Sequence, residues 1–427
     1  MIITDLHHFS HKNILFLQGP VGPFFKRIAT QLRNINANVF RINFNGGDWL
    51  FSGRDAINFR DHPNQWEDFF EKKLIELKID YVVLFGDCRP IHKVARRVAK
   101  KHQIELFVFE EGYVRPNFVT FERFGVNDNS TLPRSPDFYL KNGLVPVQPE
   151  QELGYTFHMI CLWGFLYFSA ALLLRPFYKQ YRHHRPVRLK EGWIWLRGFT
   201  RKIYYDRKER HMLDRFTGPL AKSFYLVPLQ VYNDSQIHTH SDFRSVKMFI
   251  RHVVKSFVDN APSHTHLLFK HHPMDRGYND YSELIEKLAI KYNAMGRVHY
   301  VHDLHLPSLL TNALGTVVVN STIGFSSLYH NCPVKACGRA IYDMEGLTFQ
   351  GPLDEFWEAA PDFSINHELF TRFRNYMILT TQINGNFYKR LKTPYGRYHL
   401  TYEKTLPEGV TIHPYAFIEH SCKLEEQ

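Results

Sequence analysis

Short apolar runs alternating with amphipathic stretches occur twice in this chain, and that rhythm restricts the fold more than any single motif. The first series reads NILFLQG, FFKRIATQLRN, NVFRINF, WEDFFEKKLIELK, YVVLFGD, a basic stretch and IELFVFEEG. The second begins after residue 220 and reads SFYLVPLQV, DFRSVKMFIRHVVKSFV, HLLFKHHP, YSELIEKLAIKY, RVHYVHD and GTVVVN, followed by a helix from Thr322. Apolar strands separated by amphipathic helices form parallel sheets covered on both faces. A chain of 427 residues also exceeds what one hydrophobic core ordinarily holds. The expectation is therefore an α/β protein with two Rossmann-like domains facing a cleft and a helical connector. The boundaries expected are 1–150 for the first domain, 151–220 for the connector, 221–360 for the second domain and 361–427 for C-terminal helices and a tail.

The connector differs in composition from both halves. An apolar run, MICLWGFLYFSAALLL from Met159 to Leu174, leads into RPFYKQYRHHRPVRLK. The run is shorter than the roughly 20 residues that cross a bilayer. With Trp163, Tyr167 and Tyr178 beside Arg175, Lys179, Arg182, Arg185, Arg188 and Lys190, it reads as an element lying on an anionic membrane surface. The whole chain carries 53 Lys and Arg against 42 Asp and Glu, a net +11, which suits phosphate-bearing ligands and anionic lipid. No zinc-finger spacing, helix-turn-helix signature or aromatic RNP pattern accompanies that charge, so nucleic acid is not an expected partner. Five scattered cysteines form no disulfide framework, and Cys332, Cys337 and His330 lack the second pair that a structural zinc site needs. The opening MIITDLHHFSHKN has no apolar signal core, which places the chain in the cytoplasm. No metal and no cofactor are expected.

Ligands of open α/β sheets bind beyond the carboxyl ends of the strands, so the polar residues there are the site candidates. KHHPMDRGY, residues 270–278, ends a strand of the second domain and offers Lys270, His271 and His272 to a phosphate. Strand alternation turns the two histidines apart. VVVNSTIGF, residues 317–325, ends a buried strand and starts a helix, so Asn320, Ser321 and Thr322 with free amides form a second phosphate clamp, and Gly324 lets the backbone approach. VPLQVYNDSQI, residues 227–237, supplies Gln230, Gln236 and Asp234, and Asp234 is the nucleophile if the reaction runs through a covalent glycosyl intermediate. From the first domain, FEEGYVRP places Glu110 and Glu111 at a strand end, with Glu111 chosen as the general acid or base for an acceptor hydroxyl. Gly19 and Gly22 of LQGPVGPFF are candidates to admit an acceptor head group.

Taken together, FEEGYVRP, LQVYNDSQI, KHHPMDRGY, NSTIGFSSL and the YRHHRP of the connector resemble the bacterial capsule polysaccharide synthesis family typified by KpsS and LipA. The resemblance spans about residues 13–390. It implies a GT-B type fold and transfer of β-Kdo from CMP-Kdo to a phosphatidylglycerol lipid, the step that begins a capsule linker. It also implies a peripheral site on the cytoplasmic side of the inner membrane and other capsule synthesis or export proteins as partners. The family's His-Pro element maps onto His272 and Pro273, its Ser-Thr helix start onto Ser321 and Thr322, and its acidic motif onto Asp234. A β-configured donor giving a β product is net retention, which a carboxylate nucleophile can achieve, and Arg115 is a candidate partner for the carboxylate of Kdo. Two rival functions stand beside this one: a CDP-glycerol-type glycerophosphotransferase, and a non-catalytic capsule export subunit. The segment after Thr393 is tied to no chemistry.

Overall fold

Parallel strands buried on both faces carry near-continuous apolar side chains, and the strands of this chain do so. The computed structural model describes residues 6–53, 56–141, 151–180, 183, 190–393 and 396–398. These fall into two compact units. One draws on residues 1–133, 143–188 and 374–427, the other on 134–142 and 189–373.

The first unit is built on β1 (Asn13–Phe16), β2 (Asn38–Asn43), β3 (Ile57–Asn58), β4 (Tyr81–Phe85), β5 (Glu105–Glu111) and β6 (Phe118–Arg123). The spatial order is β6-β5-β4-β1-β2-β3, and a strand from far along the chain, Gln382–Asn384, adds on outside β6. Strands β1 to β5 run parallel, whereas β6 and the returning strand are antiparallel to their neighbours. Helices α1 (Phe24–Asn34), α2 (Gly46–Ser52), α3 (Trp66–Glu76) and α4 (Pro90–Lys101) fill the crossovers. Phe16, Phe24, Phe25, Phe107 and Phe109 pack on one face of the sheet, and Leu15, Phe44, Trp66, Phe70 and Val82 on the other. Burying each such side chain stabilises the fold by about 1.5–3 kcal/mol. After the short helix α5 (Pro136–Lys141), which belongs to the second unit, α6 (Phe157–Leu173) returns to the first.

The second unit begins with α7 (Lys190–Lys208) and α8 (Arg210–Thr217). Its five strands are β7 (Phe224–Pro228), β8 (His266–Lys270), β9 (Val298–Val301), β10 (Gly315–Val318) and β11 (Val334–Ala336). They form one parallel sheet in the order β11-β10-β7-β8-β9. Among and after them lie α9 (Ser235–His240), α10 (Val246–Asn260), α11 (Ser282–Lys291), α12 (Leu306–Asn312), α13 (Thr322–Tyr329), α14 (Leu353–Ala359) and α15 (His367–Thr381). Trp357, Tyr225, Phe257 and Phe356 anchor one face of this sheet. Taken in chain order within each unit, the parallel strands have the arrangement 3-2-1-4-5 in both sheets. That is the Rossmann half-fold order, whose switch point lies between the first and fourth strands. The α/β expectation of two Rossmann-like units thus holds, although no sequence repeat marks the recurrence.

The division of the chain differs from the expected boundaries. Residues 151–220 are shared rather than separate, because α6 packs on α2 while α7 packs on α8, and α8 on α12, within the second unit. From residue 374 the chain belongs to the first unit, where Gln382–Asn384 pairs with β6. The connector aromatics also differ from expectation. The Tyr167 hydroxyl is buried, donating to Asp48 Oδ1 at 2.8 Å, and Tyr178 is buried with its hydroxyl on Asn58 Oδ1 at 2.5 Å. Trp163 donates to the carbonyl of Tyr388 at 3.0 Å. These rings serve the core of the first unit. Arg182, Arg185 and Arg188, and the tail from residue 399, lie outside the described residues.

Candidate functional site

At the switch point of the second sheet, the segments leaving β7 and β10 are tied to each other. Gln230 Nε2 donates to Asn320 Oδ1 at 3.1 Å and to Asp234 Oδ2 at 3.0 Å. Asp234 is the N-cap of α9, its Oδ1 accepting from the amide of Gln236 at 2.9 Å. Asn320 Nδ2 donates to the carbonyl of Gln236 at 3.1 Å. Four of the expected site residues, Gln230, Asp234, Gln236 and Asn320, therefore hold one another and fix the loops. Each Asp234 carboxylate oxygen thus accepts one hydrogen bond from its own segment.

Ser321 caps α13, its Oγ accepting from the amide of Ile323 at 3.2 Å, while the Thr322 hydroxyl makes no hydrogen bond among the described residues. The amides at this helix start and the helix dipole favour an anion. Gly324 has a packing cause. A Cβ there would lie 2.2 Å from the Tyr342 hydroxyl, so a neighbouring ring, not a ligand, fills the space beside it.

The segment after β8 separates its two histidines. His271 turns inward, 1% exposed, with its Nδ1 2.6 Å from the Tyr300 hydroxyl and its ring among Tyr281, Tyr300 and His302. Burial first, then the neighbouring His302, depresses its pKa to about 3, so the ring is neutral, and its Nε2 is buried with no hydrogen-bond partner among the described residues. His272 is only half-buried. Its Nδ1 accepts from the amide of Met274 at 3.1 Å, which leaves Nε2 to carry the ring proton as a donor. Lys270 is 7% exposed, and its ammonium makes no hydrogen bond or ion pair among the described residues. Burial depresses its pKa, Asp303 opposes that, and Arg276 adds to it. Arg276, equally buried, pairs with Asp303 at 3.0 Å, yet its Nε has no hydrogen-bond partner among the described residues. Two buried cations thus sit together with only part of their hydrogen-bonding capacity used. Asp275, fully buried, accepts from Asn279 and Tyr281 and holds the loop that carries them.

In the first unit the strand ends bear acids. Gln18, which follows β1, donates to Asp48 Oδ2 at 3.1 Å and accepts from Arg89 Nη1 at 3.1 Å. Glu110 lies beside Gly86 and Arg89, with Oε1 accepting from the amide of Glu111 at 3.0 Å. Burial, reinforced by Glu111 and Asp87 and opposed by the Glu111 amide and Arg89, pushes the Glu110 carboxyl up to about 7. The Glu111 carboxylate makes no hydrogen bond among the described residues. Of the two glutamates, Glu110 has the proton affinity of a group that exchanges a proton near neutral pH.

The remaining candidates have local explanations. A Cβ on Gly19 would strike the Phe25 ring at 2.5 Å, and Gly22 has φ +112° with Trp163 3.1 Å from its virtual Cβ, so packing of α1 and α6 accounts for both. Arg115 is exposed and donates to the carbonyl of Gly112 at 3.2 Å. Sequence reasoning does not reach Gln18, Arg89 or Arg276, and it names Glu110 but prefers Glu111. Arg276 stands inside KHHPMDRGY, and its signal is a second cation six residues after Lys270.

Residues 80–388 match the family of capsule polysaccharide biosynthesis proteins. The capsule polysaccharide export protein KpsS of Escherichia coli is 40% identical over 381 residues, covering 89% of this chain and 97% of its own. The capsule polysaccharide modification protein LipB of Neisseria meningitidis serogroup A is 40% identical over 404 residues, covering 90% of this chain and 94% of its own. Among solved structures, KpsC of Thermosulfurimonas dismutans, described as a beta Kdo 2,7 transferase, aligns with 90% of this chain and 95% of that one, at 14% identity and a TM-score of 0.43.

Proposed function

The chain belongs to the capsule polysaccharide biosynthesis family, and on that premise we propose that it is a glycosyltransferase that moves β-Kdo from CMP-Kdo to a phosphatidylglycerol lipid on the cytoplasmic side of an inner membrane. The observation that carries the reading is the pair of cations Lys270 and Arg276, with the Nε2–H of His272, at the end of β8 in a sheet whose switch point also presents the capped start of α13. Such groups bind a nucleotide phosphate. In the proposed reaction the bond between the anomeric carbon and the phosphate oxygen breaks and CMP leaves with the electron pair. The cations and amides stabilise the charge on that phosphate. The acceptor hydroxyl forms the new bond from the face that the phosphate leaves, so the β configuration is kept without a covalent intermediate, and it gives up its proton to a carboxylate. Glu110, with its raised proton affinity, supports the acid–base role, with Glu111 beside it. Asp234 is assigned to positioning the donor loops.

The test is to incubate the protein with CMP-Kdo and phosphatidylglycerol vesicles and to look by mass spectrometry for the lipid bearing one Kdo. Appearance of that glycolipid together with CMP is the expected result. A product only from CDP-glycerol would make the chain a glycerophosphotransferase. Failure to bind any cytidine nucleotide would make it a non-catalytic export subunit.

A further inference from the structure

Helix α7 has two faces of opposite and unusual character. On one side Ile194, Gly198, Arg201 and Tyr205 meet the loop after β8 and the end of β9. A Cβ on Gly277 would lie 2.4 Å from the Ile194 carbonyl, so the helix backbone rests directly on that loop. Arg197 Nε donates to the Gly277 carbonyl at 2.8 Å and Arg201 Nη1 to the Arg276 carbonyl at 3.0 Å. The Tyr205 ring stacks on His302 at 3.5 Å, and Glu209 just beyond the helix receives the amides of His302 and Asp303. At about 100° per residue, Leu196 and Ile203 lie about half a turn away from this side. They are each 53% exposed, with Trp193 at 71% and Tyr204 at 55% flanking them.

A surface helix ordinarily turns its polar side outward. Here the inward contacts are largely polar, and the outward stripe is aliphatic, edged by aromatic rings. The surrounding exposed charge is mainly positive: Arg197, Arg207 and Lys208 against Asp206. Lys208 also lies over the Tyr204 ring at 5.2 Å. An apolar stripe with aromatic margins and flanking cations complements an anionic bilayer, in which rings sit at the headgroup level and cations meet phosphates. We infer that α7 seats the second unit on an anionic lipid surface, with Leu196 and Ile203 entering the acyl boundary and Arg207 and Lys208 among the headgroup phosphates. This rests on the reading of a lipid acceptor, and it assigns membrane docking to a helix distinct from the 159–190 segment that the sequence suggests. Because the inner side of the same helix grips residues 276–278, the donor loop is held next to the lipid surface.

Vesicle flotation tests this without turnover. The wild-type protein is expected to float with vesicles of equal phosphatidylglycerol and phosphatidylcholine at low salt, and not with phosphatidylcholine alone. Arg207→Ala with Lys208→Ala should lower partitioning about thirtyfold. Trp193→Ser with Leu196→Ser and Ile203→Ser should abolish flotation while leaving the melting temperature and CMP binding as in the wild type, since all three side chains are largely exposed. Flotation of both variants like wild type would overturn the inference. So would conversion of a wild-type dimer to a monomer by the serine variant, seen by light scattering, which would make the stripe a contact between copies. A wild-type protein that floats through α7 but yields no glycolipid would count against the transferase reading alone.

Discussion

The two sheets share a strand order, and each has a glutamine two residues beyond its first strand, but the glutamines hold opposite chemistry in place. In the first unit Gln18 ties Asp48 to Arg89, and Arg89 stands beside the near-neutral Glu110. In the second unit Gln230 ties Asp234 to Asn320, next to a capped helix start, with the cations Lys270 and Arg276 at the end of the neighbouring strand β8. On the proposed reading, one switch point serves proton exchange and the other binds an anion. The same topology positions both sets, so the division of labour comes from a few side chains at the strand ends and not from the fold.

If that division is right, Glu110→Gln should have the largest effect on turnover, about 10²- to 10⁴-fold in kcat, with CMP affinity unchanged. A comparable loss of CMP affinity would erase the distinction between the two units. The same variant has a stability signature. A carboxyl whose folded pKa is raised to about 7 makes the wild type lose stability as pH rises from the ordinary carboxylate range to about 7. Relative to wild type, Glu110→Gln should therefore gain in melting temperature progressively from pH 5 to about pH 7, and a difference independent of pH would contradict the half-buried, proton-holding state.

Asp234→Asn comes next in size. Asparagine can still cap α9, so transfer should fall only about tenfold, through looser loops and weaker CMP binding. Complete loss of transfer with full CMP affinity, or a Kdo adduct mapped to Asp234 by peptide mass spectrometry, would restore it as the nucleophile and move covalent chemistry into the second unit. Ser321→Ala should have the smallest effect, a few-fold in CMP affinity and about 1 kcal/mol in stability, because the amides at the start of α13 remain. A hundredfold loss there would make the hydroxyl, not the backbone, the phosphate ligand.

The strand series was legible because period and strand length are local properties, and the strand ends led directly to Lys270, His272, Ser321 and Asp234. What escaped was pairing across the fold. Asp234 is held by Gln230 and by the Gln236 amide, both within its own segment, and what the sequence does not show is that Gln230 also reaches Asn320 from another strand. Adjacent glutamates likewise look alike in sequence, and the Gly86 and Arg89 that stand beside Glu110 come from another strand's end. The apolar 159–174 run pointed to a membrane, yet the aromatics offered for that role pack inward, because α2 and the returning chain supply their partners. The outward stripe of α7 was hidden by its own composition, in which arginines that grip a loop resemble arginines that face solvent.

The most direct test of the central claim is a paired measurement on Lys270→Met: CMP affinity by calorimetry and thermal stability by melting. A lysine that is 7% exposed, with no hydrogen bond or ion pair for its ammonium among the described residues, disfavours folding, and an anion-binding role accounts for its presence. The variant should bind CMP about ten- to hundredfold more weakly and yet melt higher than the wild type. Unchanged CMP affinity, with a lower melting temperature, would show that Lys270 serves the fold and that the nucleotide phosphate binds elsewhere.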